Sequence, residues 1–179
     1  MFARDGLHIA VVGDIDANTL RERLDQLFVD LKRELNEKAA ERIAARISHE
    51  WSQSGSASID LMMQWSQKAA EDKKFDVALD FLDQVVTLQP AYAEGWNRRA
   101  TVHFMMNNFG KSMADIDRTL QLEPRHFGAL SGLAQIMAVT GHKQSALEAW
   151  QRVLSIYPMM RSAQDQVGTL SEELAGEGI

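Results

Sequence analysis

The chain has 179 residues, a formal net charge of −6 and a hydrophobic content of 45%, which suit one compact domain or a short repeat array with a buried core. The negative charge argues against nucleic acid as the main partner, because binding to a phosphate backbone requires a basic surface. The lack of cysteine excludes disulfides, cysteine-ligated zinc and thiol catalysis.

Residues 1–17 are predicted to form an irregular leader, in which residues 7–16 have the pattern of a short strand and a turn. The apolar stretch of residues 8–12 is too short for a signal peptide and is followed by Gly13 and Asp14. No apolar run approaches the roughly 18 residues that span a bilayer, so no membrane insertion is expected. We expect a cytoplasmic protein, or a periplasmic one if residues 1–17 are not the natural leader.

An N-terminal helical hairpin is predicted for residues 18–55. Its first helix covers residues 18–35 and its second covers residues 37–52, with Asn36 between them as the N-cap. Both helices have an apolar stripe at helical spacing, made by Leu20, Leu24, Leu27, Phe28 and Leu31 in the first and by Ala40, Ile43, Ile47 and Trp51 in the second. The hairpin is expected to pack on the first repeat or to act as an N-terminal cap.

The chain has only three prolines, Pro90, Pro124 and Pro158, and both intervals between them are 34 residues. A period of 34 residues is the length of a helix–turn–helix solenoid repeat. The array of residues 56–160 therefore divides into three units, 59–92, 93–126 and 127–160. Each unit has two helical stretches separated by a polar break, and each proline ends the second helix of its unit.

Equivalent positions of the three units match in size. Position 20 of each unit holds a small residue, and positions 4 and 24 hold large apolar residues, as expected where two antiparallel helices pack closely. Position 20 is Ala78, Ser112 and Ala146; position 4 is Met62, Trp96 and Leu130; position 24 is Leu82, Ile116 and Trp150. The tryptophans Trp51, Trp65, Trp96 and Trp150 are all predicted to lie in the core. Residues 161–175 are predicted to form a helix that caps the array, and residues 176–179 a tail.

The columns resemble the tetratricopeptide repeat family. The resemblance is carried by residues 93–100 (AEGWNRRA) with 120–124 (LQLEP), and by residues 146–150 (ALEAW) with 153–158 (VLSIYP). It implies an all-α fold, a right-handed α–α superhelix, of the type found in small bacterial proteins of this family. Residues 7–31 are also similar to a strand–helix segment of pitrilysin-like metallopeptidases, but the zinc motif of that family is absent, and a peptidase remnant is a distant alternative.

The resemblance also implies a peptide-binding groove along the first helices of the units. The groove residues it implies are Met63, Gln67, Asn97, Arg98, Thr101, Phe104, Met105, Ser131 and Gln135. Family members that grip acidic chaperone tails use basic and amide side chains at set groove positions, and Met63, Gln67, Gly128 and Gly132 stand at four of those positions here. An acidic tail is therefore not the expected ligand.

No catalytic, cofactor-binding or metal-binding residues are predicted, so the protein is not expected to be an enzyme. The five histidines have no metal-ligand spacing, and His126 and His142 are expected near inter-helix turns, in solvent. Arg98 and Arg99 have two interpretations, a clamp for an anion or ion pairs with Asp83, Asp115 or Asp117.

Two functional hypotheses follow. In the first, the protein is an adaptor whose concave groove binds a peptide or a segment of a partner protein. In the second, it is an assembly protein that self-associates through an exposed N-terminal hairpin or through the C-terminal cap.

Overall fold

The computed structural model describes residues 17–176 of the chain. The strand and turn predicted for residues 7–16 lie outside this range. All regular secondary structure within it is helical, which confirms the all-α class. The nine helices are α1 (Ala17–Arg33), α2 (Glu37–Ser52), α3 (Ala57–Glu71), α4 (Phe75–Leu88), α5 (Ala93–Met105), α6 (Phe109–Leu122), α7 (Phe127–Val139), α8 (Lys143–Ile156) and α9 (Arg161–Gly176).

The three units are the helix pairs α3–α4, α5–α6 and α7–α8, and the same turn closes each pair. Lys73, Asn107 and Gly141 occupy equivalent positions 34 residues apart, and all three have positive φ, at 60°, 58° and 83°. The next residue in each turn donates its N–H to a carbonyl five residues earlier, at 2.8 Å in all three units. This is the Schellman motif, which satisfies the last carbonyls of the first helix and reverses the chain.

Small residues allow close contact both within and between the units. The small column of Ala78, Ser112 and Ala146 is fully buried. Between the first two units, Gly95 lies so close to α4 that a Cβ at this position would be 2.8 Å from Cγ1 of Val85. These contacts stack the units into a solenoid whose first helices, α3, α5 and α7, are neighbours along one face.

Helix α9 covers the last unit. It begins at Arg161 and buries Ala163 and Leu170 in the same core cluster as Trp150 and Val153 of α8. The side chains on its other face are polar and exposed, as expected for the capping element of a solenoid.

The apolar stripe of the N-terminal hairpin does not pack on the first unit, which is one of the two arrangements expected from the sequence; the other is an N-terminal cap. The stripe enters the core cluster of the third unit, where Leu31 and Ile47 are fully buried beside Phe127 and Tyr157. The physical reason is a chain of aromatic rings, in which Phe28 contacts Trp51, Trp51 contacts Phe127, and Phe127 contacts Tyr157. The expectation of an exposed amphipathic hairpin, on which self-association through this element was based, is therefore wrong.

Helix α2 and the residues after it lie along the turns that join the units. The indole of Trp51 stacks on the ring of His126, with ring centroids 4.1 Å apart. Tyr92 donates its hydroxyl to the carbonyl of Ser52 at 2.9 Å, and the amide of Gln89 donates to the carbonyl of Ser54 at 2.7 Å. The hairpin thus ties the turns after the first and second units to the core of the third.

Trp65 departs from its predicted place in the core. Its side chain is 49% exposed, whereas Trp150 is 3% exposed. Position 7 of a unit faces the second helix of the preceding unit, and no unit precedes α3 within residues 17–176. Among the described residues, its one aromatic ring contact is with Phe81 of its own unit, with centroids 5.4 Å apart.

Candidate functional site

The face formed by α3, α5 and α7 contains two crevices, one at each junction between units. The first crevice lies between α3 and α5 and has a volume of about 230 Å³. Its floor is apolar, and Arg98 and Glu71 lie at its rim. The lining residues are Ser66, Gln67, Ala70, Glu71, Leu82, Arg98, Thr101, Val102 and Met105.

The second crevice lies between α5 and α7 and has a volume of about 160 Å³. Ile116 and Ala100 form its floor, and amide and hydroxyl groups line its mouth. Gly132 lies over this floor, where a Cβ would be in ordinary van der Waals contact with Cδ1 of Ile116, at 3.4 Å. The lining residues are Asn97, Ala100, Thr101, Phe104, Ser112, Ile116, Gly128, Ala129, Gly132 and Gln135.

The two crevices are the same structural position, repeated one unit further along the chain. Six lining residues of the first, shifted by 34 positions, become lining residues of the second. The pairs are Ser66 and Ala100, Gln67 and Thr101, Ala70 and Phe104, Leu82 and Ile116, Arg98 and Gly132, and Thr101 and Gln135. Thr101 is common to both crevices, so it lies at the centre of the groove.

A buried carboxylate lies beside the groove. Glu94 begins α5, and its carboxylate accepts hydrogen bonds from Arg98 at 2.6 Å, from Asn97 at 3.0 Å and from His126 at 3.0 Å. Burial alone would raise the pKa of Glu94, but the hydrogen bonds from His126 and Arg98 and the charge of Arg98 outweigh it and lower the pKa below its ordinary value. Arg98 is thereby oriented by Glu94 while its side chain stays 43% exposed in the groove.

His126 is buried, contrary to the expectation of a solvated side chain. It lies at the turn before α7, as predicted, but only 2% of it is exposed because Trp51 stacks on it. Its Nδ1 accepts the N–H of Ala129 at 3.1 Å and caps α7. The proton of a neutral ring is then on Nε2, which donates to Glu94.

Arg99 forms ion pairs and is not an anion clamp. Its guanidinium donates two hydrogen bonds to Asp115, at 2.8 and 2.7 Å, and a third to Asp83 at 2.8 Å. Because Asp83 is on α4 and Asp115 is on α6, Arg99 joins the first unit to the second. Asp117 has no role in this network.

The end of α2 forms one edge of the groove, which the sequence did not predict. Ser48 and Trp51 line a depression next to Asn97, Thr101 and Phe127. A pattern of helical periodicity locates α2 but does not show against which part of the solenoid it folds.

Most of the implied groove residues lie on this surface. Gln67, Arg98, Thr101 and Met105 line the first crevice; Asn97, Thr101, Phe104 and Gln135 line the second; Met63 lines a third depression, next to Tyr92. Ser131 lines none of these, because it is 7% exposed and its hydroxyl donates to the carbonyl of Phe127. The sequence missed the floor residues Leu82, Val102 and Ile116, of which Leu82 and Ile116 share the large apolar column at position 24.

Two classes of site are not found in the part of the chain that the structure describes. Within residues 17–176, no three histidine or carboxylate side chains are grouped so that they could hold a metal ion. In the same range, no helix is both long enough and apolar enough to cross a membrane.

Comparison with known proteins identifies relatives with the same repeat. A TPR repeat-containing protein of Rhizobium etli is 56% identical over 156 residues, which are 87% of this chain and 76% of that protein. The small glutamine-rich tetratricopeptide repeat-containing protein 2 of Saccharomyces cerevisiae is 26% identical over 117 residues, 65% of this chain and 34% of that protein. No family model matches the chain.

Solved structures show the same fold. The first TPR of Spaghetti (RPAP3), bound to the HSP90 peptide SRMEEVD, superposes with a TM-score of 0.62 at 19% identity, and the match covers 66% of this chain and 94% of that one. The relatives and the solved structures confirm the superhelix of tetratricopeptide type, and none of them indicates a catalytic family.

Proposed function

Because the chain belongs to the tetratricopeptide repeat family, we propose that it is a protein-interaction adaptor that holds an extended segment of a partner protein in its two crevices. The observation that carries this proposal is the repetition of one crevice at two successive junctions. Each has a volume of about 160 to 230 Å³, which is below the roughly 300 Å³ of small-molecule sites and fits one side chain.

The spacing of the crevices constrains the ligand. Neighbouring packed helices are about 8–10 Å apart, and an extended chain advances about 3.3 Å per residue. Side chains alternate between the two faces of a β-strand, but polyproline II geometry has three residues per turn and a rise of about 3.1 Å. Two side chains three positions apart in a segment of that geometry therefore point the same way and reach both crevices. The apolar floors, formed by Leu82 and Val102 in the first and by Ile116 in the second, favour apolar side chains at both positions.

Polar groups between the crevices complement the backbone of such a segment. Asn97 and Gln135 have amides at the mouth of the second crevice, and Arg98 lies at the rim of the first. A groove with these groups satisfies the peptide N–H and C=O groups that binding removes from water.

The charge of the groove argues against the acidic peptide bound by the first TPR of Spaghetti. Met63, Gln67, Gly128 and Gly132 provide no positive charge, and Arg98 is already paired with Glu94. Glu71 adds a negative charge at the rim of the first crevice. A neutral or basic segment with two apolar side chains is the better match.

The proposal is tested with Thr101→Arg, which places a long charged side chain at the centre of both crevices. Thr169→Arg on α9 is the matched control, because both threonines are exposed and both hydroxyls donate to the carbonyl four residues earlier. Peptides are selected from a random twelve-residue library on the wild-type protein, and their affinities are measured by fluorescence anisotropy. We expect at least a tenfold loss of affinity for Thr101→Arg and none for Thr169→Arg. Peptides that bind Thr101→Arg as tightly as wild type would contradict the proposal.

A further inference from the structure

The outer side of the first unit is an apolar surface that no other element among residues 17–176 covers. We call it the end face. It consists of a ridge on α3 with Leu61, Trp65 and Lys68 and a ridge on α4 with Val77, Phe81 and Leu88, each at the spacing of one helix face. Four of these residues are large, apolar and exposed: Leu61 by 42%, Trp65 by 49%, Val77 by 44% and Leu88 by 64%.

In the second and third units, the positions equivalent to the α3 ridge are in contact with the preceding unit. The counterpart of Leu61 in the second unit is Gly95, which lies against Val85 of α4. The counterpart of Trp65 is Arg99, which pairs with Asp83 of α4. The counterpart of Lys68 in the third unit, Ile136, is 1% exposed. The α3 ridge of the end face therefore has the positions of a unit junction without the unit that would complete it.

The end face also has a shallow depression near its centre. Trp65 and Phe81 contact each other across the two helices, and beside them is a depression of about 390 Å³ lined by Trp65, Val77 and Phe81, with Lys68, Asp72 and Lys74 around it. Exposed apolar area of this kind on a soluble protein marks an interaction surface.

We propose that the end face binds the end face of a second copy of this chain, which gives a two-fold symmetric dimer. The opposite end of the array cannot be the partner surface, because the outer side of α9 is polar, with Arg161, Asp165 and Glu172 exposed. Head-to-tail stacking would bury apolar side chains against charges, whereas a symmetric contact places each apolar ridge against an identical one.

The charges around the end face allow two copies to approach. The chain has a net charge of −6, but Lys68 and Lys74 lie at this surface together with Asp72, and the exposed Asp80 is next to Phe81 on α4. Lys68 pairs with Asp72 of the same chain at 3.0 Å, and Lys74 lies 4.0 Å from the same carboxylate. The two cations and two anions of the rim balance, so they give no net repulsion between two copies.

The size of the end face indicates a dimer that dissociates on dilution. Helices α3 and α4 have 15 and 14 residues, so the face is about 22 Å long and about 20 Å wide. The resulting ~400 Å² per copy is about half of what a stable interface buries on each partner. The side chains that line the two crevices are not part of the end face, so the groove of each copy stays open in the dimer.

The test is sedimentation equilibrium of the full chain between about 1 and 500 µM, the range in which a weak interface dissociates. We expect the wild type to change from monomer to dimer, and Trp65→Lys and Leu88→Lys to remain monomeric with unchanged helical circular dichroism. Leu88→Lys guards against misfolding of the tryptophan variant, because Leu88 is 64% exposed. Leu35→Lys, at a hairpin residue that is 83% exposed, is the matched control and is expected to dimerise as the wild type does.

Two outcomes would overturn the dimer. One is a wild type that is monomeric at every concentration; the other is a dimer that persists in both Trp65→Lys and Leu88→Lys. If the wild type is monomeric, iodide quenching of tryptophan fluorescence is compared before and after removal of residues 1–16. A quenching that increases on removal, and only in proteins that contain Trp65, would identify residues 1–16 as the cover in place of a second copy.

Discussion

Glu94 and His126 are 32 positions apart in the sequence, and their side chains meet at 3.0 Å between Oε2 and Nε2. Glu94 is in the first turn of α5 and His126 is the N-cap of α7, so this hydrogen bond joins the starts of two neighbouring groove helices. Both side chains are buried. The carboxylate is stable as an anion there because His126, Arg98 and Asn97 together replace its hydration.

Glu94→Gln is expected to lower the free energy of unfolding at pH 7 by about 2 kcal/mol, because it weakens two charge-assisted hydrogen bonds in a buried site. The pKa of Glu94 is lowered in the folded protein. Its contribution is therefore complete above its ordinary pKa of 4.5 and disappears as the pH falls through the lower, folded value. Urea unfolding of wild type and variant from pH 7 to pH 3 checks this.

The control for this prediction is Glu148→Gln, whose exposed carboxylate accepts one hydrogen bond from Gln144 at 3.0 Å. We expect a change below about 0.5 kcal/mol for this surface substitution. A gap between wild type and Glu94→Gln that stays constant from pH 7 to pH 3 would show that the charge of Glu94 is not what stabilises the site.

The two carboxylates that bind Arg99 are expected to differ in importance. The side chain of Asp115 is 5% exposed and that of Asp83 is 60% exposed, although both accept hydrogen bonds at 2.7–2.8 Å. Asp115→Asn breaks a buried pair and should lower the free energy of unfolding by about 3 kcal/mol, whereas Asp83→Asn should cost less than about 1 kcal/mol. Equal losses in chemical denaturation would contradict the difference in burial.

The repeat itself is predictable from the sequence because it depends on short-range signals. Three prolines at 34-residue spacing end the second helices, and Lys73, Asn107 and Gly141 mark the turns within the units. The position of the hairpin is not predictable in this way. Its stripe of Leu27, Phe28 and Leu31 shows that α1 needs an apolar surface. The third unit supplies that surface about 100 residues later in the chain, where Phe127 and Leu130 belong to the same core cluster.

The groove shows the same division between local and long-range information. The groove side chains on α3 and α5, Thr101 among them, are those that the resemblance to the family implies once the register of the repeat is known. Crevice depth depends on how closely two units approach, and that approach depends on contacts between distant residues such as Gly95 and Val85. Exposure of Trp65 depends on which element precedes α3 in space, and no local pattern contains that information.

The turns within the units give a prediction about backbone conformation. Gly141 has φ of 83°, and no atom lies within 4 Å of the position a Cβ would take. Gly141→Ala therefore adds backbone strain without a clash, and should lower the free energy of unfolding by about 1–2 kcal/mol. Gly168→Ala is the matched control, because Gly168 is in the middle of α9 with open space around it, and this change should stabilise by about 0.5–1 kcal/mol. Thermal unfolding shifts of the same sign in both variants would contradict this account.

The N-terminal hairpin and the repeat array are expected to unfold together, because they share one core. Leu31 is 0% exposed and belongs to the cluster that contains Phe127 and Trp150, whereas Leu35, four residues later, is 83% exposed. Leu31→Ala should lower the free energy of unfolding by about 3 kcal/mol, and Leu35→Ala by less than about 0.5 kcal/mol. Circular dichroism and tryptophan fluorescence should report one coincident transition in both variants, since Trp51 and Trp150 lie at the shared core. If α1 and α2 formed a separate unit, Leu31→Ala would instead produce an early transition that leaves the signal of Trp150 unchanged.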